Sequence, residues 1–294
     1  MKAWQIEGFS NDLKLNHIAM PEVRPGSVLV RVEASSLMSY LKDYVEGKLP
    51  SYRLPPGAFT PGGNGVGVIE AVGRDVWHLK PGQRVILSSH LVAAENVADK
   101  AQTLIGITSF GGKSDVVQAD WPNGTMAEYA LFPVTAVTPV DGLDHVTAEM
   151  LAVFSRCVIP FGGLSRGRLA AGETIVITGA TGSYGTAAVL VALAMGAGKV
   201  VAAGRNAKSL AALAYAAGRP ALSTIQLTGD VEEDAEVLRI ASNGGADMAF
   251  DMVGQASDPN ATLAALGRSK TKGSHCAHGQ YDHTCSHQLH AGHA

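Results

Sequence analysis

Thr174-Ile175-Val176-Ile177-Thr178-Gly179-Ala180-Thr181-Gly182-Ser183-Tyr184-Gly185 is the stretch on which the reading of this chain turns. A short run of β-branched residues predicts a buried strand, three glycines follow three apart, and an Ala-rich segment, residues 183–196, carries on at helical spacing. Glycine lets a chain turn tightly and approach a diphosphate closely, while the amide hydrogens and dipole at a helix N-terminus favour negative charge. Gly-rich turns are common; this one gains weight from lying between a predicted strand and a predicted helix inside a βαβ unit. Gly179, Ala180, Thr181, Gly182, Ser183, Tyr184 and Gly185 are therefore the candidate cofactor-binding turn.

The pattern outward from the turn is regular. Residues 199–203 predict a second strand, 207–217 a second helix and 222–227 a third strand; the acidic helix 230–241 precedes a fourth strand over 247–253. Strands alternating with helices of this length imply right-handed crossovers and a parallel sheet covered on both faces, a Rossmann-type α/β unit assigned to residues 143–266. Upstream, Val28-Leu29-Val30-Arg31-Val32 and Val66-Gly67-Val68-Ile69-Glu70-Ala71-Val72 lie among turn signals such as Pro61-Gly62-Gly63 and Pro81-Gly82, predicting a β-rich, barrel-like domain over residues 1–142. After Leu266 the periodicity stops. Residues 267–294 are polar and rich in histidine, and a disordered tail is expected there.

Composition excludes several classes. With 294 residues, 46% hydrophobic and 17% charged, the chain is long enough for about two domains and too apolar for disorder as a whole. A net charge of -3 without a basic run gives no attraction to nucleic acid or anionic membrane, so a small-molecule partner is favoured. No apolar run of membrane-spanning length and no signal-peptide pattern is read, and three cysteines suit a reducing compartment; a cytoplasmic location is the expectation. The tail holds six of the ten histidines, and His283-Thr284-Cys285-Ser286-His287 has a spacing that could bind metal if ordered.

Charge argues the cofactor. NAD-binding folds place Asp or Glu about 20 residues past the turn, to accept from the ribose 2′-OH. Here the second strand ends at Gly204-Arg205-Asn206, and no Asp or Glu occurs between Glu173 and Asp230. Arg205, Asn206 and Lys208 would instead receive a 2′-phosphate, which favours NADPH; the alternative is that Arg205 and Lys208 are solvated cations at a helix start. Val253 and Gly254, ending the fourth strand, are candidates for the nicotinamide ribose or a plain strand end.

Further stretches, Pro61-Gly62-Gly63-Asn64-Gly65-Val66-Gly67-Val68, Leu79-Lys80-Pro81-Gly82-Gln83-Arg84-Val85 and Ala171-Gly172-Glu173-Thr174, follow in an order that resembles the medium-chain dehydrogenase/reductase superfamily over roughly residues 1–266. The resemblance implies a GroES-like catalytic domain before the Rossmann domain, hydride transfer with a nicotinamide cofactor, and a homodimer. Zinc members of that family carry Gly-His-Glu where this chain has Gly62-Gly63-Asn64, the earlier ligand cysteine aligns with Met38, and Cys157 falls outside the third slot. No metal site is therefore expected, and the chain looks like the zinc-free quinone and enone reductases of the family.

Without a metal, hydrogen-bond donors must polarise the carbonyl. The resemblance places Tyr40, Lys42 and Tyr44, with Tyr52, in the loop facing the nicotinamide; core or surface packing is the other reading of each. Phe59, Trp121 and Phe154 are read as pocket walls or core. Tyr44-Val45-Glu46-Gly47-Lys48 also spells the Tyr-x-x-x-Lys of short-chain dehydrogenases, but it precedes the glycine turn, whereas in that family it follows. The family would need further strands after residue 266, so the ending reads as truncated, with a four-stranded sheet edge left open and the dimer in doubt. The expected function is an NADPH-dependent, zinc-independent reductase of a quinone, enone or other small carbonyl. A catalytically silent nucleotide-binding protein is the alternative, and a zinc-type alcohol dehydrogenase a third reading.

Overall fold

The structure, a computed structural model, describes every residue except 10, 11, 95, 255, 257, 268 and 278–294, and describes residues 269–277 by their backbone. The chain divides into two units, Met1–Ser155 and Arg156–Ala294.

The first unit is built on a five-stranded antiparallel sheet, in the order Tyr129–Pro133, Ser27–Ser35, Gly65–Val72, Arg84–Leu87 and Val137–Pro139. Its β-branched runs fit the pleat, and Val28, Val30, Ile69, Val85, Leu87 and Phe132 share one core. Two smaller sheets complete it, one of Lys14–His17, Lys2–Glu7 and Ala58–Phe59, the other of His90–Val92, Gln102–Leu104 and Thr108–Ser109. This is the β-rich domain that the turn signals predict.

The first unit reaches past residue 142. Helix Ala148–Phe154 is capped by Thr147, whose side chain accepts from Met150 N, and its Leu151 and Ala152 pack with Val66 and Val140. Sequence pattern changes at residue 142 because strands give way to helix there, but packing assigns that helix to the strands before it. The helical run Ala148–Arg166 has 19 residues, and an 18-residue window within it has a mean hydropathy of 1.2, which corrects the expectation that no stretch is long and apolar enough to cross a membrane. It carries Glu149, Arg156 and Arg166, is interrupted by a 3-10 turn at Ser155–Cys157, and buries Leu151 in the first unit's core and Leu164 in the second's.

In the second unit, parallel strands run in the order Leu222–Gln226, Lys199–Gly204, Thr174–Thr178, Ala246–Asp251 and Ser269–Ala277. Alternation along the strands decides what covers each face. Ile175, Ile177, Val200, Ala202, Met248 and Phe250 point to one side, against Leu164 and against Ala188, Val189 and Ala192 of helix Ser183–Ala194. Val176, Val201, Ala203 and Ala249 point to the other, against Ala235 and Leu238 of helix Val231–Ala241 and Ala264 and Ala265 of helix Asn260–Leu266. Both faces are apolar because both are covered, which is why these strands read as continuous hydrophobic runs.

The last strand is a correction. Residues 267–294 are expected to be disordered and the sheet to end at its fourth strand, yet Ser269–Ala277 pairs in parallel with Ala246–Asp251, with Phe250 opposite Cys276 and Asp251 opposite Ala277. The open edge of Ala246–Asp251 offers unpaired N–H and C=O groups, and a following segment can satisfy them whatever its side chains. Residues 268 and 278–294, with His283, Cys285 and His287, lie outside the described residues.

Candidate functional site

The turn after Thr174–Thr178 is shaped by two glycines. Gly179 has φ +63°, and a Cβ there would lie 2.7 Å from the Met252 carbonyl and 2.8 Å from Val253 N. At Gly185 a Cβ would fall 2.0 Å from Gly179 O, so the first turn of helix Ser183–Ala194 sits directly on the loop that precedes it. Gly182 is the residue before that helix; its N–H donates to Gly179 O, and no side chain caps the helix. Residues 182–184 are exposed, leaving the helix N-terminus turned toward solvent.

The turn is held on both sides. Ala180 N donates to Ala203 O at 3.1 Å, and Thr181 packs beside Gly204, the last residue of the neighbouring strand. On the other side Met252 N donates to Thr178 O, which brings Val253 against Gly179. Residues from the ends of three adjacent strands, 174–178, 199–204 and 246–251, thus gather at the carboxyl edge of the sheet, where ligands bind in such folds.

The candidates at the second strand's end have distinct surroundings. Arg205 and Lys208 are exposed, and the Arg205 carbonyl accepts from Gln226 Nε2. Asn206 caps helix Ala207–Ala217: its Oδ1 accepts from Ser209 N at 3.0 Å, so that atom is committed to the helix. Val253 is half-buried and Gly254 exposed.

Asp251 is a site residue the sequence reading passed over. Its carboxylate, 5% exposed, accepts from Thr178 Oγ1 (2.6 Å) and Val253 N (3.1 Å) through Oδ1, and from Thr262 Oγ1 (2.7 Å) through Oδ2. The signal was present as an acid at the end of the apolar run Met248-Ala249-Phe250, where burial without partners would be costly.

The candidate catalytic residues lie in the first unit, around helix Leu41–Val45. Tyr44 is fully buried with Ile6, Phe59 and Ile107, its hydroxyl donates to Ile107 O at 2.6 Å, and burial raises its pKa well above the ordinary phenol range. This places Tyr44 in the core, where its proton is committed to a carbonyl, and corrects its assignment as a donor to substrate. Phe59 belongs to the same core. Tyr40 is half-buried at the start of the helix, its ring 5.8 Å from that of Tyr52 in an edge-to-face pair. Lys42 is exposed, 3.9 Å from Glu46. Trp121, beneath the Arg24 guanidinium at 4.0 Å, lines a groove of about 410 Å³ with Met20, Thr60 and Tyr129; Tyr40, Lys42 and Tyr44 are not among its walls. Phe154 is exposed.

In the alignment with zinc members of the family, Gly63 stands at the ligand histidine, Asn64 at its acidic neighbour and Met38 at the earlier ligand cysteine. Asn64 Oδ1 accepts from Ser89 N (2.8 Å) and Ser89 Oγ (3.2 Å), and Met38 packs on the apolar cluster around Tyr44. Cys157, half-buried, has its thiol pKa raised by burial. Among the described residues no three His, Cys, Asp or Glu side chains gather as a metal would require.

Comparison with known proteins agrees with this architecture. Residues 24–142 match the alcohol dehydrogenase GroES-like domain. The chain is 31% identical over 268 residues to the putative alcohol dehydrogenase D of Mycobacterium tuberculosis (strain ATCC 25618 / H37Rv), covering 84% of this chain and 69% of that protein. It is 28% identical over 264 residues to quinone oxidoreductase-like protein 2 of Mus musculus, covering 86% of this chain and 64% of that one. The solved alcohol dehydrogenase TADH from Thermus sp. ATN1 has the same fold, with a TM-score of 0.74 and 24% identity over 96% of this chain and 78% of its own. The chain spans about half to two thirds of the length of the curated relatives it matches.

Proposed function

The chain belongs to the medium-chain dehydrogenase/reductase superfamily, and from that premise we propose that it is an NADPH-dependent, zinc-independent reductase of a quinone, enone or other small carbonyl compound. The observation that carries the cofactor half is the glycine turn. Gly179 and Gly185 hold backbone against backbone where any Cβ would intrude, and the helix start at residues 182–184 is exposed, which supports a diphosphate bound there. In this reading Gly182, Ser183, Tyr184 and Gly185 present the helix start to the diphosphate, with Ala180 and Thr181 fixing the turn to the second strand. Arg205 and Lys208 take a 2′-phosphate, and the lack of any acid between Glu173 and Asp230 removes the group that would repel it. Val253 and Gly254 receive the nicotinamide ribose.

The nicotinamide, when bound, supplies the hydride. What the chain must add is a donor to the carbonyl oxygen that gains charge. With the Tyr44 hydroxyl committed to Ile107 O, Tyr40 and Lys42 remain as candidates for that donor. The quinone and enone class rests on Gly63 and Met38 standing where zinc members of the family carry a ligand histidine and a ligand cysteine, and on the similarity to the mouse quinone oxidoreductase-like protein 2.

The test follows absorbance of the nicotinamide band as the purified chain is mixed with NADPH and a panel of small quinones, enones and aldehydes. Oxidation with at least one quinone or enone is expected. NADPH binding without oxidation of any panel member would replace this reading with a catalytically silent nucleotide-binding protein.

A further inference from the structure

Asp251 draws three elements to one point. Thr178 is the last residue of the strand that leads into the glycine turn, Val253 is the residue against which Gly179 packs, and Thr262 lies on helix Asn260–Leu266. Their donors, two hydroxyls and one amide, converge on one buried carboxylate. Thr178 and Thr262 are themselves buried, at 0% and 2% exposure, so water does not compete for these bonds. Asp251 also stands opposite Thr178 in the strand pairing, and the Met252 N to Thr178 O bond follows directly.

A carboxylate near a turn meant for an anion is electrostatically unfavourable, which a purely space-filling residue would avoid. Three hydrogen bonds to its two carboxyl oxygens give it a different use: they fix where Thr178 ends and where Val253 begins. The gap between those two residues is the gap Gly179 fills.

We propose that Asp251 is the positioning residue of the nucleotide turn, locking residues 178–179 against 252–253 through Thr178 Oγ1, Val253 N and Thr262 Oγ1. The proposal rests on the dinucleotide reading above for its functional sense, but its geometry is independent of the ligand. Asp251 itself touches no substrate in this scheme; it acts through Gly179 and Val253.

Thr178→Val and Thr262→Val each remove one hydroxyl donor at nearly constant shape, and Thr178→Ser restores the first. Full-length proteins are compared by backbone amide exchange without ligand, and by titration with NADPH and with adenosine 2′-monophosphate, which lacks the diphosphate. Thr178→Val is expected to speed exchange over residues 179–185 and 252–254 by about tenfold, and to weaken NADPH by about tenfold while leaving adenosine 2′-monophosphate within about twofold. Thr178→Ser returns both to wild type, and Thr262→Val shows the same pattern more weakly, since Oδ1 keeps its two donors. Unchanged exchange and unchanged NADPH affinity in both folded valine variants would overturn the proposal, as would equal weakening of both ligands. If exchange responds as expected while the wild-type chain binds neither ligand, the positioning role stands and the dinucleotide reading falls. Should Thr178→Val not fold, Thr262→Val alone decides by the same readouts.

Discussion

Arg205 is exposed at the end of the second strand of the parallel sheet, in a stretch with no acid from Glu173 to Asp230. If its guanidinium receives a 2′-phosphate, Arg205→Ala removes a charge-assisted bond worth about 1.5–3 kcal/mol, a loss of roughly 10- to 150-fold in NADPH affinity. NADH affinity should stay within about twofold by calorimetry, because that cofactor has no 2′-phosphate to lose. Tyr44 shows the opposite case, a residue whose type suggested chemistry and whose surroundings are core. Nothing in the sequence separated it from Tyr40: both sit four residues apart beside one short helix, and only packing shows that Tyr44 faces inward. Burial holds its phenol protonated in the folded state to a higher pH than in the unfolded chain. Above about pH 10 the unfolded state therefore binds fewer protons, and stability contributed by Tyr44 is lost as pH rises from there through its folded pKa. Tyr44→Phe should lower stability by about 1–2 kcal/mol at neutral pH, by leaving Ile107 O unpaired, and should flatten the alkaline fall in denaturation midpoint.

Elements tell how much pattern alone conveyed. The strand-turn-helix at residues 174–194 was legible because its three signals, β-branched run, spaced glycines and Ala-rich helix, agree with each other. The glycines are not equivalent, however, and only coordinates reveal it. Gly185→Ala would drive a methyl into Gly179 O, so the helix must move; a loss of about 1–3 kcal/mol in stability is expected, with NADPH binding reduced more than tenfold. Gly182→Ala has ordinary backbone angles, and its added carbon would lie 3.3 Å from Gly179 O, so its thermal midpoint should change much less. Comparing the two variants by thermal melting and NADPH titration separates a close-approach glycine from one that is merely at a turn. The strand Ser269–Ala277 was illegible for the reverse reason: its pairing is supplied by the neighbouring edge, and Lys, Ser, Thr and Gly leave no apolar alternation to read.

At the scale of the whole chain, two units each own a hydrophobic core, one around Val30, Ile69 and Phe132, the other around Ile175, Val200 and Phe250. Their existence was legible from the change of sequence grammar, while the division after Ser155 was not, because it depends on which strands helix Ala148–Phe154 packs against. Separate cores give no reason for a single cooperative transition. NADPH at 100 times its Kd should stabilise the unit that binds it by about 2.7 kcal/mol. Amide exchange with and without NADPH should then show protection concentrated in residues 174–266, with residues 27–35 and 65–72 little changed. The measurement that tests the central claim most directly is calorimetric titration of the purified chain with NADPH and, separately, with NADH. The glycine turn and Arg205 predict one site per chain, with NADPH bound at least tenfold more tightly. No heat from either cofactor, or NADH bound as tightly as NADPH, would contradict the account.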